Sequence, residues 1–409
     1  MRNVYARIRR MNILIIGGGV CGTSAAEDIR KRDTDANITI VSDEPHPLYS
    51  RVLLPHYIHG MIPRERVFLK ALDWYTEQNI ELVYDEVVAL DCAKRSVLCA
   101  TDRTFEYDKL LIAGGGTVNR LPLSQRPRAF HFQTLEDADA ILAALRERDG
   151  KKTVARIIGG GFICMEFVDL FQKADFETHV HLKDDRFFGK IIDRETSDYF
   201  ASLLQARGVI IHAHDVAKEF QNDTLTTNSG NHACDVLGIG IGLDARFLWA
   251  MQAGIEMNHG IIANAFLETN IPDVYAAGDC AEYENQLFGR RRRVGNWTNA
   301  QMQGRHAARV MFGEREPFTA VTSYSASVID IRIAAVGDAD PLAADEVIAR
   351  KNGEGRSLLY MRDERLVGAV TINRSFERAP LTKIISAKTS VSKIKDRLSD
   401  PDFNLSELI

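Results

Sequence analysis

Residues 12–44 read NILIIGGGVCGTSAAEDIRKRDTDANITIVSDE, and this stretch decides the fold. An apolar run from Asn12 to Ile16 leads into a glycine-rich turn, a helical stretch, a second apolar run and an acid. Two strand-length apolar runs joined through a helix make a βαβ unit with parallel strands. Gly17, Gly19 and Gly22 stand in the spacing G-x-G-x-x-G. The first glycine permits the tight turn, the second lets a pyrophosphate approach the backbone, and the third lets helix and strand pack closely. The helix then turns its N-terminal amides and the positive end of its dipole toward the phosphates. Asp43 ends the second strand, where a carboxylate accepts hydrogen bonds from an adenosine ribose. A glycine fingerprint alone would be weak; strand, loop, helix, strand and acid in order specify a dinucleotide site.

The pattern recurs over residues 154–188, VARIIGGGFICMEFVDLFQKADFETHVHLKDDRFF, with Gly159 and Gly161 in the loop. Two such units in one chain mean two dinucleotides, or one dinucleotide and the remnant of a second site. The second copy departs from the pattern twice. Cys164 occupies the third glycine position, and Leu182, followed by Lys183, stands where the ribose-binding acid belongs. A leucine cannot bind a ribose diol. The unit is therefore either a scaffold that binds nucleotide poorly, or a site in which Lys183 and Arg186 meet a 2'-phosphate and favour NADPH over NADH.

At 409 residues the chain exceeds one core and fits two or three domains. Its 45% apolar and 26% charged residues are ordinary for a globular protein. A formal charge of -5 gives no global case for nucleic-acid or membrane binding. No run approaches the roughly 18 apolar residues of a membrane span. Residues 1–10 lack the apolar stretch of a signal peptide, so the expected location is the cytoplasm. That basic segment reads as a leader, a mis-assigned start or an arm for an acidic surface, and no function is assigned to it. Cys21, Cys92, Cys99, Cys164, Cys234 and Cys280 show no CxxC and no metal-ligand spacing, so no metal is expected.

Residues 106–122, EYDKLLIAGGGTVNRLP, and 269–283, TNIPDVYAAGDCAEY, resemble the FAD-dependent pyridine nucleotide oxidoreductases with two dinucleotide-binding domains. That resemblance implies FAD as cofactor and NADH or NADPH as substrate. It also implies that Gly278 and Asp279 meet the flavin ribityl chain, and that Ala113 and Gly114 stand in a turn that in this family reads Ala-Thr-Gly. Residues 44–60, EPHPLYSRVLLPHYIHG, narrow the likeness to rubredoxin reductases and the flavin domain of assimilatory nitrite reductases, with Arg51 near the flavin or its pyrophosphate. Residues 294–314, VGNWTNAQMQGRHAARVMFGE, look like the helix that covers the isoalloxazine, with Trp297 and Gln301 on its first turns. Related ferredoxin reductases place a lysine by the flavin, paired with the glutamate after the second glycine loop. Here Glu166 is present and His56 stands at the matching position, either as a partner that orients nicotinamide or as an ordinary core histidine.

Relatives that reduce disulfides or peroxide need a cysteine beside the flavin, and residues 48–60 contain none. Electrons then leave the flavin directly, to oxygen or singly to a metal centre in a partner. Arg290, Arg291, Arg292 and Arg293 precede the Trp297 helix and form either a landing patch for an acidic rubredoxin or ferredoxin or a solvated loop.

The expected fold class is α/β, with two Rossmann-like dinucleotide-binding domains, one inserted in the other, and a small C-terminal α+β domain. The boundaries are 11–120 and 244–318 for FAD, 121–243 for NAD(P), and 319–409 for the C-terminal domain. The expected function is FAD-dependent transfer of electrons from NAD(P)H to a small redox carrier protein. A NAD(P)H oxidase, and a flavoprotein with a degenerate nicotinamide site acting as an electron-transfer or docking subunit, stay open, as does a homodimer.

Overall fold

A computed structural model describes residues 9–147, 153–353 and 355–409, so most of the basic segment at the start of the chain lies outside the described residues. The chain divides into two compact units, one of Met1–Ser50, Arg64–Thr117 and Asp244–Ala320, the other of Arg51–Pro63, Val118–Leu243 and Val321–Ile409.

The first unit is built on a parallel sheet in the order Val274–Ala276, Lys109–Ile112, Asn12–Ile16, Asn37–Ser42, Ile80–Tyr84. Ile13, Leu14 and Ile15 are buried on alternating faces, which is why the strand reads as an unbroken apolar run rather than as alternation. Helix Val20–Arg32 packs along helix Trp297–Met311, and a Cβ on Gly304 would lie 2.1 Å from the Cys21 carbonyl oxygen, so only glycine allows this crossing. Buried Arg30 donates to the carbonyls of Asp33, Thr34, Ala36, Gln78 and Asn79, fastening the helix end to the entry of strand Ile80–Tyr84.

The second unit holds another parallel sheet, in the order Ile210–His212, Glu177–His181, Val154–Ile158, Val236–Ile239, Ala129–Phe130. It also holds a five-stranded antiparallel sheet, in the order Ser323–Val328, Ile331–Gly337, Arg365–Ile372, Gly355–Arg362, Glu346–Asn352. This C-terminal sheet clusters with the second parallel sheet in one compact unit. Phe162 meets Tyr324 at a ring-centroid distance of 4.3 Å, Tyr360 donates to the Ile191 carbonyl, and Lys351 and Arg356 both reach Glu195. The segment Arg51–Pro63 also belongs to this unit, although the sequence placed it within the flavin domain. Residues 323–337 form a hairpin turning at Ile329 and Asp330.

Candidate functional site

In the first unit the loop before helix Val20–Arg32 is shaped by close approach. Gly17 has φ +110°, and a Cβ there would lie 2.4 Å from the Ala113 carbonyl oxygen. A Cβ on Gly22 would lie 2.0 Å from the Gly17 oxygen, so the third glycine is obligatory for helix and strand to meet. Gly19 differs, because nothing stands within 4 Å of the position its Cβ would take. That open side leads to a helix with no side-chain cap, so its first amides are left for an anion. Asp43 follows strand Asn37–Ser42 and is exposed.

Two further segments reach the same end of the same sheet. Ala113 and Gly114 follow strand Lys109–Ile112, and Ala113 N donates to Ile16 O. Gly278, at φ +80°, and Asp279 follow strand Val274–Ala276, and Ala277 N donates to Ile112 O. Gln303 Oε1 accepts from Gly278 N at 2.7 Å, so helix Trp297–Met311 holds the Gly-Asp turn in place. That helix is capped by Asn296, whose side chain accepts from Asn299 N at 2.8 Å, and Trp297 at its start packs partly buried against the core. The Asp279 carboxylate lies along Gly295, where a Cβ would stand 3.3 Å from Oδ2. Glycine loop, Ala113–Gly114 and Gly278–Asp279 thus gather at the carboxyl ends of three adjacent parallel strands, the usual place for a dinucleotide in a doubly wound sheet. The open cradle at Gly19, the uncapped helix and the half-buried Asp279 fit FAD.

The second cradle repeats this construction. Gly159 has φ +128° with the Gly240 oxygen 2.3 Å from its would-be Cβ, Gly161 is open to 4 Å, and helix Phe162–Lys173 has no side-chain cap. Cys164 at the third position is accommodated because Gly240 faces it; a Cβ on Gly240 would lie 2.8 Å from Cys164 N. Leu182 is buried, with Cδ2 2.9 Å from the would-be Cβ of Gly160, so it leans onto the loop where an acid was sought. Lys183 is exposed, while Arg186 is bonded to Asp185 at 3.0 Å.

On the segment Arg51–Pro63, His56 is exposed, and no hydrogen bond joins it to Glu166 among the described residues. Three residues on from each, His59 Nε2 and Asp169 Oδ2 are 3.0 Å apart. Asp169 also accepts from Lys173 Nζ at 2.7 Å and from Ile329 N at 2.7 Å. Burial pushes Asp169 up, but the bonds from His59, Lys173 and Ile329 outweigh it and hold the carboxyl below its ordinary value. Glu166 has no such donors among the described residues, so burial, reinforced by the charge on Asp169, pushes it up to about 7. Tyr57 donates to Asp139 at 2.7 Å and Arg51 donates to the Gln133 carbonyl, tying the same segment to the neighbouring helix. Sequence reading passed over His59 and Asp169; the signal was their shared offset of three from His56 and Glu166, one helical turn along each helix.

The basic run is a strand, not a loop. Arg290–Arg293 pairs antiparallel with Ala281–Asn285, setting Arg293 opposite Glu282 and Arg291 opposite Glu284. Arg291 is exposed and the other three are half-buried, with Arg292 over the Phe288 ring at 5.0 Å. Five of the six cysteines are buried, all six are free, and burial pushes Cys21 up and Cys280 up to about 12.

The description "pyridine nucleotide-disulphide oxidoreductase" belongs to the family model that matches residues 11–304, and a "reductase C-terminal" model matches residues 329–409. A 5,5'-dehydrodivanillate O-demethylase ferredoxin reductase subunit from Sphingobium sp. is 30% identical, over 97% of this chain and 97% of its own. Putidaredoxin reductase from Pseudomonas putida is 28% identical, over 97% and 96%. Among solved structures, a covalent putidaredoxin reductase–putidaredoxin complex superposes with a TM-score of 0.89 at 26% identity, covering 97% of this chain and 98% of that one. No helix is long and apolar enough to cross a membrane among the described residues.

Proposed function

Because the chain belongs to the pyridine nucleotide-disulphide oxidoreductase family and is an FAD-dependent NAD(P)H oxidoreductase, we propose that it delivers electrons singly to a small, acidic iron–sulfur or rubredoxin-type carrier protein. The observation that carries this choice of acceptor is the burial of Cys21 and Cys280 beside the flavin cradle, where raised pKa values keep both as thiols. Neither can serve as the attacking thiolate that disulfide or peroxide reduction requires.

Bound FAD supplies the chemistry that takes two electrons with a hydride and releases them one at a time. Gly17, Gly19 and Gly22 receive the pyrophosphate, Asp43 the ribose, and Asp279 the ribityl chain. Trp297 would border the ring system, and Ala113 and Gly114 would supply a turn of the flavin site. Gly159 and Gly161 would receive the nicotinamide nucleotide, and Lys183, exposed beyond Leu182, would meet the 2'-phosphate if the nucleotide is NADPH. Glu166, largely protonated below about pH 7, would offer a neutral carboxylic acid to the nicotinamide carboxamide, with His56 shaping the same pocket, and Arg51 would meet the flavin or its pyrophosphate. Arg291 supplies the exposed charge that steers an acidic carrier. A cytoplasmic setting goes with this reading, since reduced nicotinamide nucleotide is available there and all six cysteines are unpaired.

Anaerobic stopped-flow reduction with NADH and with NADPH, followed by mixing with an acidic ferredoxin, tests the proposal. Rapid bleaching followed by salt-sensitive carrier reduction is the expected course, and Arg291→Glu slows only the second phase. Oxygen consumption that matches the carrier rate and ignores salt would establish an oxidase instead.

A further inference from the structure

One edge of the second unit collects titratable side chains that the proposed reaction does not use. Strand Glu177–His181 carries His179 and His181 two residues apart, hence on one face; strand Ile210–His212 ends in His212; Asp215 follows; and His232 comes from Asn231–Ala233. The rings of His181, His212 and His232 form a triangle with centroid separations of 4.5, 5.6 and 5.7 Å. Asp215 Oδ2 lies 2.7 Å from His181 Nδ1 and 3.9 Å from His232 Nε2. Ligand atoms of His181, His212 and Asp215 all fall within 4.8 Å of one another. His181 and Asp215 are buried in a position where apolar side chains would stabilise the fold more cheaply.

We propose that His181, His212, His232 and Asp215 form a site for one divalent transition-metal cation of the zinc class. Imidazoles with a single carboxylate suit zinc, nickel or copper, not the all-oxygen shells of calcium or magnesium. A tetrahedral ion with bonds of about 2.0–2.1 Å sets its ligand atoms about 3.3 Å apart. The separations of 2.7 and 3.9 Å at Asp215 straddle that value. A cation on His181 Nδ1 displaces that nitrogen's hydrogen to Nε2 of the same ring, so the imidazole stays neutral. Arg156 Nη1, which donates to Nε2 at 3.0 Å in the metal-free ring, therefore swings away on binding, while Ser229 N donates to Asp215 Oδ1 at 3.3 Å. His181 and His212 stack with planes 8° apart, and parallel rings cannot aim lone pairs at one point. His212, half-buried, therefore turns on binding and gives up its 3.0 Å contact with His179.

The site also touches the nucleotide cradle through backbone. Leu182 N donates to His212 O at 2.8 Å, and Asp215 N to Leu182 O at 2.8 Å. An effect of metal on nucleotide affinity rests on the placement of the nucleotide proposed above; metal binding itself does not.

Equilibrium dialysis of the chelator-stripped holoprotein against zinc at neutral pH, with bound metal counted, tests the site independently of any nicotinamide reaction. One zinc per chain is expected. His212→Gln and His232→Gln each weaken binding at least about tenfold, whereas His214→Gln, at an exposed histidine in the same segment, leaves it unchanged. Zinc raises the melting temperature of the native protein and of His214→Gln but not of the other two, and the same scans report that each variant folds. No zinc bound at micromolar concentration, or equal binding by all four proteins, overturns the proposal.

Discussion

Replacing Glu166 by glutamine removes an ionisable group that the fold holds at an unfavourable charge above neutrality. Its carboxyl stands at about 7 against an ordinary 4.5. Between these values the native state binds more protons than the unfolded chain, so the wild-type protein loses stability as pH rises through that window, and the loss is complete above about pH 7. At about 1.4 kcal/mol per unit, the difference amounts to about 3 kcal/mol. Glutamine keeps the shape and cannot ionise. Urea unfolding of both proteins at about pH 5 and pH 8.5 should therefore show Glu166→Gln gaining about 2–3 kcal/mol on wild type between the two conditions, the larger advantage falling at the higher pH. Parallel stability curves across that range would refute a desolvated carboxyl at this position.

Gly19→Val should fold normally, because its Cβ meets nothing within 4 Å, yet purify with little flavin, whereas Gly22→Val should lose both fold and flavin; the ratio of flavin to protein absorbance and circular dichroism separate the two. Lys183→Glu should lower kcat/KM with NADPH about tenfold relative to NADH, and unchanged discrimination would remove Lys183 from nucleotide recognition. Asp169→Ala leaves His59, Lys173 and Ile329 N without their acceptor and should cost about 3 kcal/mol in urea unfolding, far more than a surface pair.

The glycine loops were legible because their chemistry is local: Gly17, Gly22 and Gly159 are constrained by backbone within their own βαβ units. What escaped depended on distant partners. The hairpin in residues 323–337 turns at Ile329, a β-branched residue at φ +58° with no glycine, proline or asparagine to announce it. The Asp169 carboxylate, 160 positions away in sequence, accepts its amide and holds the turn. The arginines at 290–293 read as a loop because four like charges repel in isolation, and they form a strand because Glu282 and Glu284 stand across from Arg293 and Arg291. Trp297 and Asp279 were named from the likeness of whole segments, since neither has a periodic signature of its own. The pairing of His59 with Asp169 was not legible, because spacing alone does not say which turn of each helix faces the other.

The division of the chain also governs the order in which the protein can be made. The first unit opens with the N-terminal residues but needs strand Val274–Ala276 and the helix ending at Met311 to finish its sheet and core, and the second unit opens at Arg51 and closes only at Ile409. At roughly 5–20 residues per second, a ribosome leaves strand Lys109–Ile112 without its outer neighbour for about ten seconds or more after it emerges. During that interval Leu110, Leu111 and Ile112, all buried in the finished sheet, lie along an open edge. Neither unit is a self-contained stretch of message, so neither sheet can close until well over half of the chain has been translated.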